Sequence, residues 1–170
     1  MQPLFQEKQR FNQWWLWLLL IGLTLIPFYG VYQQFLRGQP AGDKPMPDWG
    51  LIAFLLFMLL FLLFFWLMQL STTITDKAIH FRFFPFTNQQ INWEGIRAAE
   101  VVDYGFVGGW GVRIGTKYGT IYNTSGKIGL ALYLKNGKKI CVGTQEESRL
   151  KKVLAELRRE HGLEQIEKNS

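Results

Sequence analysis

Thiols and imidazoles are almost absent from this chain. Cys141 is the single cysteine, which excludes an intrachain disulfide and any multi-thiolate metal site. His80 and His161 are the only histidines, and neither stands in a metal-ligand motif, so no bound metal or other cofactor is expected. Charge is missing from two long stretches, Phe11 to Leu36 and Trp49 to Thr75. That gap excludes solvated amphipathic helices there, because such helices carry a polar stripe. It also argues against a channel or transporter, whose pathway needs ionisable groups within the spans.

What fills the gaps is continuous apolar sequence. About 20 apolar residues cross about 30 Å of hydrocarbon, so each stretch is long enough to span a bilayer. Trp14, Trp15 and Trp17 gather at the start of the first stretch, and Trp49 and Trp66 bracket the second. Indole rings favour the headgroup boundary, which makes these five residues candidate membrane-interface positions. Pro27 falls inside the first segment and is expected to kink it. Lys8 and Arg10 precede a hydrophobic stretch too long for a signal peptide, no small-x-small cleavage site follows, and a second span comes soon after. An uncleaved anchor is therefore expected.

Arg37 to Asp48, rich in Pro and Gly, reads as a short connecting loop, so both termini lie on one side. Lys8, Arg10, Lys77 and Arg82 flank that side, against Arg37 and Lys44 in the loop, which favours cytoplasmic termini. The expected localisation is the inner (cytoplasmic) membrane, crossed twice. Mean hydropathy near zero conceals this division. Most of the formal net charge of +6 lies after Leu70, scattered rather than clustered, so no nucleic-acid partner is expected.

Beyond Leu70 the periodicity becomes alternating, the signature of strands. Thr72 to Thr75, Ile79 to Phe83, Ile91 to Tyr104, Trp110 to Thr116, Gly119 to Asn123, Ile128 to Leu134 and Lys138 to Thr144 account for about seven. Asn136-Gly137 predicts a tight hairpin between the last two. Thr144 and Glu147 have capping-box spacing before a helix whose apolar stripe is Leu150, Val153, Leu154 and Leu157 and which ends at Gly162.

The segments from Thr73 to Phe81, Ile91 to Ile96 and Gly129 to Thr144, with the capped helix after them, resemble bacterial pleckstrin-homology-like (PH-like) domains carried on paired membrane helices. The resemblance covers Ser71 to His161. It implies a membrane α-helical hairpin plus an α+β domain, a bent antiparallel sheet or barrel of about seven strands closed by a C-terminal helix, and it implies no enzyme activity. The basic cluster of eukaryotic lipid-binding members is missing between the first two strands, where Phe84-Pro85-Phe86 stands. The expected organisation is a flank over 1–13, spans over 14–36 and 49–70 joined by a loop over 37–48, the PH-like domain over 71–161, and a frayed tail over 162–170.

Two segments invite a functional reading. Gly108, Gly109, Trp110, Gly111 and Arg113 lie in a glycine-rich run from Gly105, where a partner backbone can approach closely, Trp110 offers an apolar platform and Arg113 an anion contact. The run lacks the spacing and strand-to-helix setting of a dinucleotide site, and Gly126-Lys127 lacks those of a phosphate loop. Phe84 and Phe86, soon after the second span, are further membrane-interface candidates. Cys141 with a histidine is a remote catalytic possibility, and Glu94, Glu100 and Asp103 read as solvated carboxylates. The reading that follows is a non-enzymatic interaction module with the lipid bilayer and an unidentified protein or peptide as partners, and a homo-oligomer as an open state. The alternative is an accessory subunit of a larger membrane complex, held by its hairpin.

Overall fold

Alternation of inward and outward side chains builds most of this protein, and it begins earlier than the sequence pattern suggests. The computed structural model describes residues 2–163. Strand β1, Phe5–Arg10, pairs antiparallel with β2, Gln69–Ile74, so residues assigned above to an N-terminal flank belong to the folded domain. The chain divides into a helical unit, Asn12–Leu67, and a β-rich unit formed by the segments on either side of it. The helical unit is thus an insertion in the connection between β1 and β2.

Within the helical unit, α1 runs from Trp14 to Val31 and continues in a π-helical turn over Tyr32–Leu36. It passes through Pro27 as one helix. α2 spans Asp48–Leu67. Both are long and apolar enough to cross a membrane. The two approach closely at Gly30, where a Cβ would stand 2.9 Å from the Leu51 side chain. Leu51 is the only buried residue of α2, and most of its large apolar side chains are exposed. The second apolar helix stops at Leu67 rather than Leu70, because Gln69 to Ile74 finds a strand partner on each side and alternates polar with apolar side chains.

The β-rich unit contains two sheets. The first has the order β1-β2-β3-β4, with β3 at Ala78–Phe84 and β4 at Thr87–Asn92. A 3-10 turn, Trp93–Gly95, leads to the second sheet, of order β5-β8-β9-β7-β6. Its strands are β5 Ile96–Asp103, β6 Gly111–Thr116, β7 Gly119–Asn123, β8 Ile128–Leu134 and β9 Lys139–Gly143. The described residues therefore hold nine strands instead of about seven. The arrangement is not wholly antiparallel either, since β7 and β9 run parallel. That pairing depends on Gly119, at φ +78°, where a Cβ would overlap the Lys139 carbonyl.

The C-terminal helix α3, Glu147–His161, contributes Leu150, Leu154 and Leu157 to a core shared by both sheets. Phe5, Ile74 and Ile79 come from the first sheet, and Ile96, Ala99, Leu130 and Leu132 from the second. Phe81 and Phe83 meet Tyr122 across the same interior, at ring separations of 5.3 and 6.4 Å. Gly162 adopts the left-handed conformation that ends α3, and Leu163 folds back into the core rather than fraying. The rest of the expected tail, residues 164–170, lies outside the described residues.

Two local expectations give way to tertiary contacts. The capping box is not made: the Thr144 hydroxyl donates to Glu7 Oε2 at 2.6 Å and accepts the Glu146 N–H, while Glu147 pairs with Lys151. The Asn136-Gly137 hairpin is a three-residue rather than a two-residue turn. Leu134 N–H bonds to the Lys138 carbonyl, Gly137 N–H returns to Leu134, and only Gly137 has positive φ.

Candidate functional site

The glycine-rich run forms a loop between β5 and β6 whose two ends are pinned by one buried side chain. Asn123 Oδ1 accepts the Gly111 N–H at 3.0 Å, and Asn123 Nδ2 donates to the Tyr104 hydroxyl at 3.0 Å. At the loop's entry the Gly105 N–H bonds to Asp103 Oδ1, and Asp103 forms an ion pair with Lys127 at 3.0 Å. The hydrogen bond from Lys127 and that from Gly105 hold the Asp103 carboxyl below its ordinary range. Burial raises the Tyr104 hydroxyl, opposed by its bond from Asn123. Val107 packs against Tyr104, Ile121, Ala131 and Cys141 on the side of the second sheet away from the shared core.

Gly105, Gly108, Gly109 and Gly111 all have positive φ, so the loop's path requires glycine at these positions. At Gly109 there is a second reason: a Cβ would stand 2.7 Å from Arg113 Nη2. The Arg113 guanidinium therefore lies over the Gly109 backbone. Its Nε is shielded from solvent and has no hydrogen-bond partner among the described residues. Trp110 is half-buried beside it. Of the five partner-site residues expected from sequence, Arg113 and Gly109 are in contact, and Gly108, Trp110 and Gly111 adjoin them along the loop.

The structure also adds two that sequence reasoning missed. Phe106, in the loop, is 90% exposed, and Ile114, on the edge strand β6, is 83% exposed. The signal was available in the phase of β6, where Ile114 takes the opposite face from Arg113. The β6–β7 register shifts between Arg113 and Thr116, so the edge is regular only over Gly111 to Arg113. Such an irregularity blunts strand addition and leaves recognition to side chains. The loop therefore offers an exposed Phe106 and a guanidinium lying over a glycine backbone, while Ile114 is exposed on the other face of the edge strand.

Elsewhere the candidate residues stay apart. Cys141 is fully buried on β9, and burial pushes its thiol up to about 12, far from a reactive thiolate. His80 bonds Asn88 on the outer side of the first sheet, whereas His161 bonds the Asp76 carbonyl and stacks on Trp93. A cleft of about 300 Å³ beside His161 is lined by Trp93, Arg97 and Lys135. Among the described residues no group of His, Cys, Asp or Glu is gathered for a metal ion. Trp14, Trp15, Trp49 and Trp66 are exposed at helix ends, Trp17 is partly buried, and Phe84 and Phe86 flank Pro85 in the exposed β3–β4 turn. Comparison with protein-family models, curated proteins and solved structures finds no match to this chain.

Proposed function

We propose that this protein is a membrane-tethered, non-enzymatic interaction module. Its helical hairpin crosses the cytoplasmic membrane twice, and its β-rich domain, which we read as PH-like, presents the loop and edge of β6 to a protein or peptide at the cytoplasmic face. A pair of sheets closed by a C-terminal amphipathic helix supports the PH-like reading. The outward apolar side chains of α2 support the anchor, since in water each would forfeit about 1.5–3 kcal/mol of burial.

The observation that carries the binding site is the 90% exposure of Phe106 in the loop whose Gly109 backbone is covered by the Arg113 guanidinium. A loop with a large exposed apolar side chain and a cation suits a segment with apolar and acidic residues. Tethering raises the local concentration of the domain, so a weak contact is enough.

The test is co-purification of the full-length protein from native membranes, with bound proteins identified by mass spectrometry. Phe106→Ser with Ile114→Ser, and separately Trp110→Ala with Arg113→Gln, are expected to lower partner recovery at least tenfold at unchanged protein level. Recovery that survives both pairs but falls on substitution of outward residues of α2 would instead identify the accessory-subunit alternative.

A further inference from the structure

The strand register assembles a second surface, on the first sheet, that no stretch of sequence contains. Phe5, Glu7 and Gln9 of β1 point inward, so Gln6, Lys8 and Arg10 point outward. Across the ladder the outward rows are Gln6–Thr73–His80–Gln90, Lys8–Ser71–Arg82–Asn88 and Arg10–Gln69–Phe84. Not one carboxylate lies in these rows. Glu7, the only acid within the four strands, is turned into the core, and Asp76 sits in the β2–β3 turn at the far end from Phe84.

Lys8 and Arg82 stand two strand spacings apart, about 9.6 Å, with the Ser71 hydroxyl between them. Arg10 is two residues further along β1, about 7 Å away. Its Nε donates to Gln69 Oε1 at 3.3 Å, and the Arg82 guanidinium lies 5.3 Å from the Phe84 ring centre. None of the three cations has a carboxylate partner among the described residues.

We infer that this outward face docks on the anionic headgroups of the bilayer that holds the hairpin. The inference rests on the membrane-anchored half of the function proposed above and is independent of the β6 site. Three things select lipid as the occupant. The row Arg10–Gln69–Phe84 is the one from which the chain passes into both apolar helices, after three residues on one side and one residue on the other. The rows are also graded: aromatic Phe84 with Arg10 and Gln69, then the cations Lys8 and Arg82, then Gln6, Thr73, His80 and Gln90, which hold no Lys or Arg. Aromatic side chains favour the interfacial level, and basic ones favour the charged layer outside it. Finally, the absence of acids removes the repulsion that an anionic surface would meet.

The experiment uses the delipidated full-length protein in neutral detergent, titrated with phosphatidylglycerol or phosphatidylcholine, with bound lipid counted by native mass spectrometry. The wild type is expected to prefer phosphatidylglycerol. Each basic side chain beside an anionic surface contributes about fivefold, so Lys8→Gln/Arg10→Gln/Arg82→Gln should lower that preference on the order of 100-fold. Lys151→Gln/Lys152→Gln/Arg159→Gln, an equal charge removal on the exposed side of α3, should leave it unchanged, and millimolar inorganic phosphate should not compete. An unchanged preference in the first triple variant overturns the proposal, as does an equal loss in both. Displacement by phosphate overturns it in favour of a simple anion site. Loss of a co-purifying protein with lipid preference intact overturns it in favour of a protein ligand. Release of the chain from native membranes by alkaline carbonate would defeat the anchor reading itself, an outcome separate from any change in lipid preference.

Discussion

Replacing residues 12–67 by Asn-Gly would turn the helical insertion into a tight hairpin between β1 and β2, whose last paired residues are Arg10 and Gln69. Two forms of this shortened chain test the role of β1, one retaining residues 1–11 and one beginning at Met68. Losing β1 removes Phe5, fully buried, and truncation of a buried phenylalanine costs about 3–5 kcal/mol. It also removes the acceptors and donors of Glu7 and Gln9, which bond Thr144, Gln145, Gly143 and Thr124 at 2.6–3.0 Å. Allowing about 0.5 kcal/mol for each of these bonds, at the low end because water replaces part of the loss, brings the deficit to about 5–7 kcal/mol. Small domains have about 5–15 kcal/mol in total. The form with β1 is therefore expected to melt cooperatively in urea with full near-ultraviolet dichroism, and the form without it to have lost tertiary dichroism before urea is added. A cooperative transition at the same midpoint in both forms would refute the reasoning.

Three further outcomes follow from the geometry. Burial raises the Glu7 carboxyl above its ordinary value, against the bonds from Thr144 and Gln145. The folded state thus holds its proton more tightly than the unfolded chain, so the stability linked to Glu7 is full below the unfolded carboxylate value near 4.5 and is lost as pH rises through the folded one. Glu7→Gln should flatten that decline in urea midpoints measured from pH 4 upward. Gly119→Ala forces a Cβ at φ +78° onto the Lys139 carbonyl and should cost more than about 2 kcal/mol in chemical denaturation, whereas Gly137→Ala, strained but sterically open, should cost less. Cys141 should resist iodoacetamide at pH 8 in the folded protein and react at the rate of a free thiol once unfolded, because burial both shields it and holds it protonated.

Long apolar runs made the two apolar helices legible, since a bilayer or a deep core is the only place such sequence can go. The α3 stripe was equally plain, because its helical period matches its burial; the alternation of β8 marked a strand, although Gly129 to Leu132 are buried on both faces. β1 was not legible: Glu7 and Gln9 interrupt the apolar alternation on its inward face, and their partners lie more than a hundred residues away. The capping box failed for the same reason, as the Thr144 hydroxyl serves Glu7 instead of the helix. At the partner site the glycines announced an unusual backbone, and the structure supplies the cause in Arg113 lying over Gly109. The basic outward face was hidden because Lys8 and Arg82 become neighbours only through the ladder.

The bracketing of the hairpin by β1 and β2 bears on how the protein is made. Residues 5–10 are translated before either span and cannot find their partner until residues 69–74 have emerged after both. On the membrane-anchored reading proposed above, a chain that had crossed the bilayer only once would leave the two strands in separate compartments, with Phe5 and Glu7 stranded from the core. On that reading, closure of this one ladder doubles as a record of correct insertion: the domain would mature only in molecules whose topology is already right.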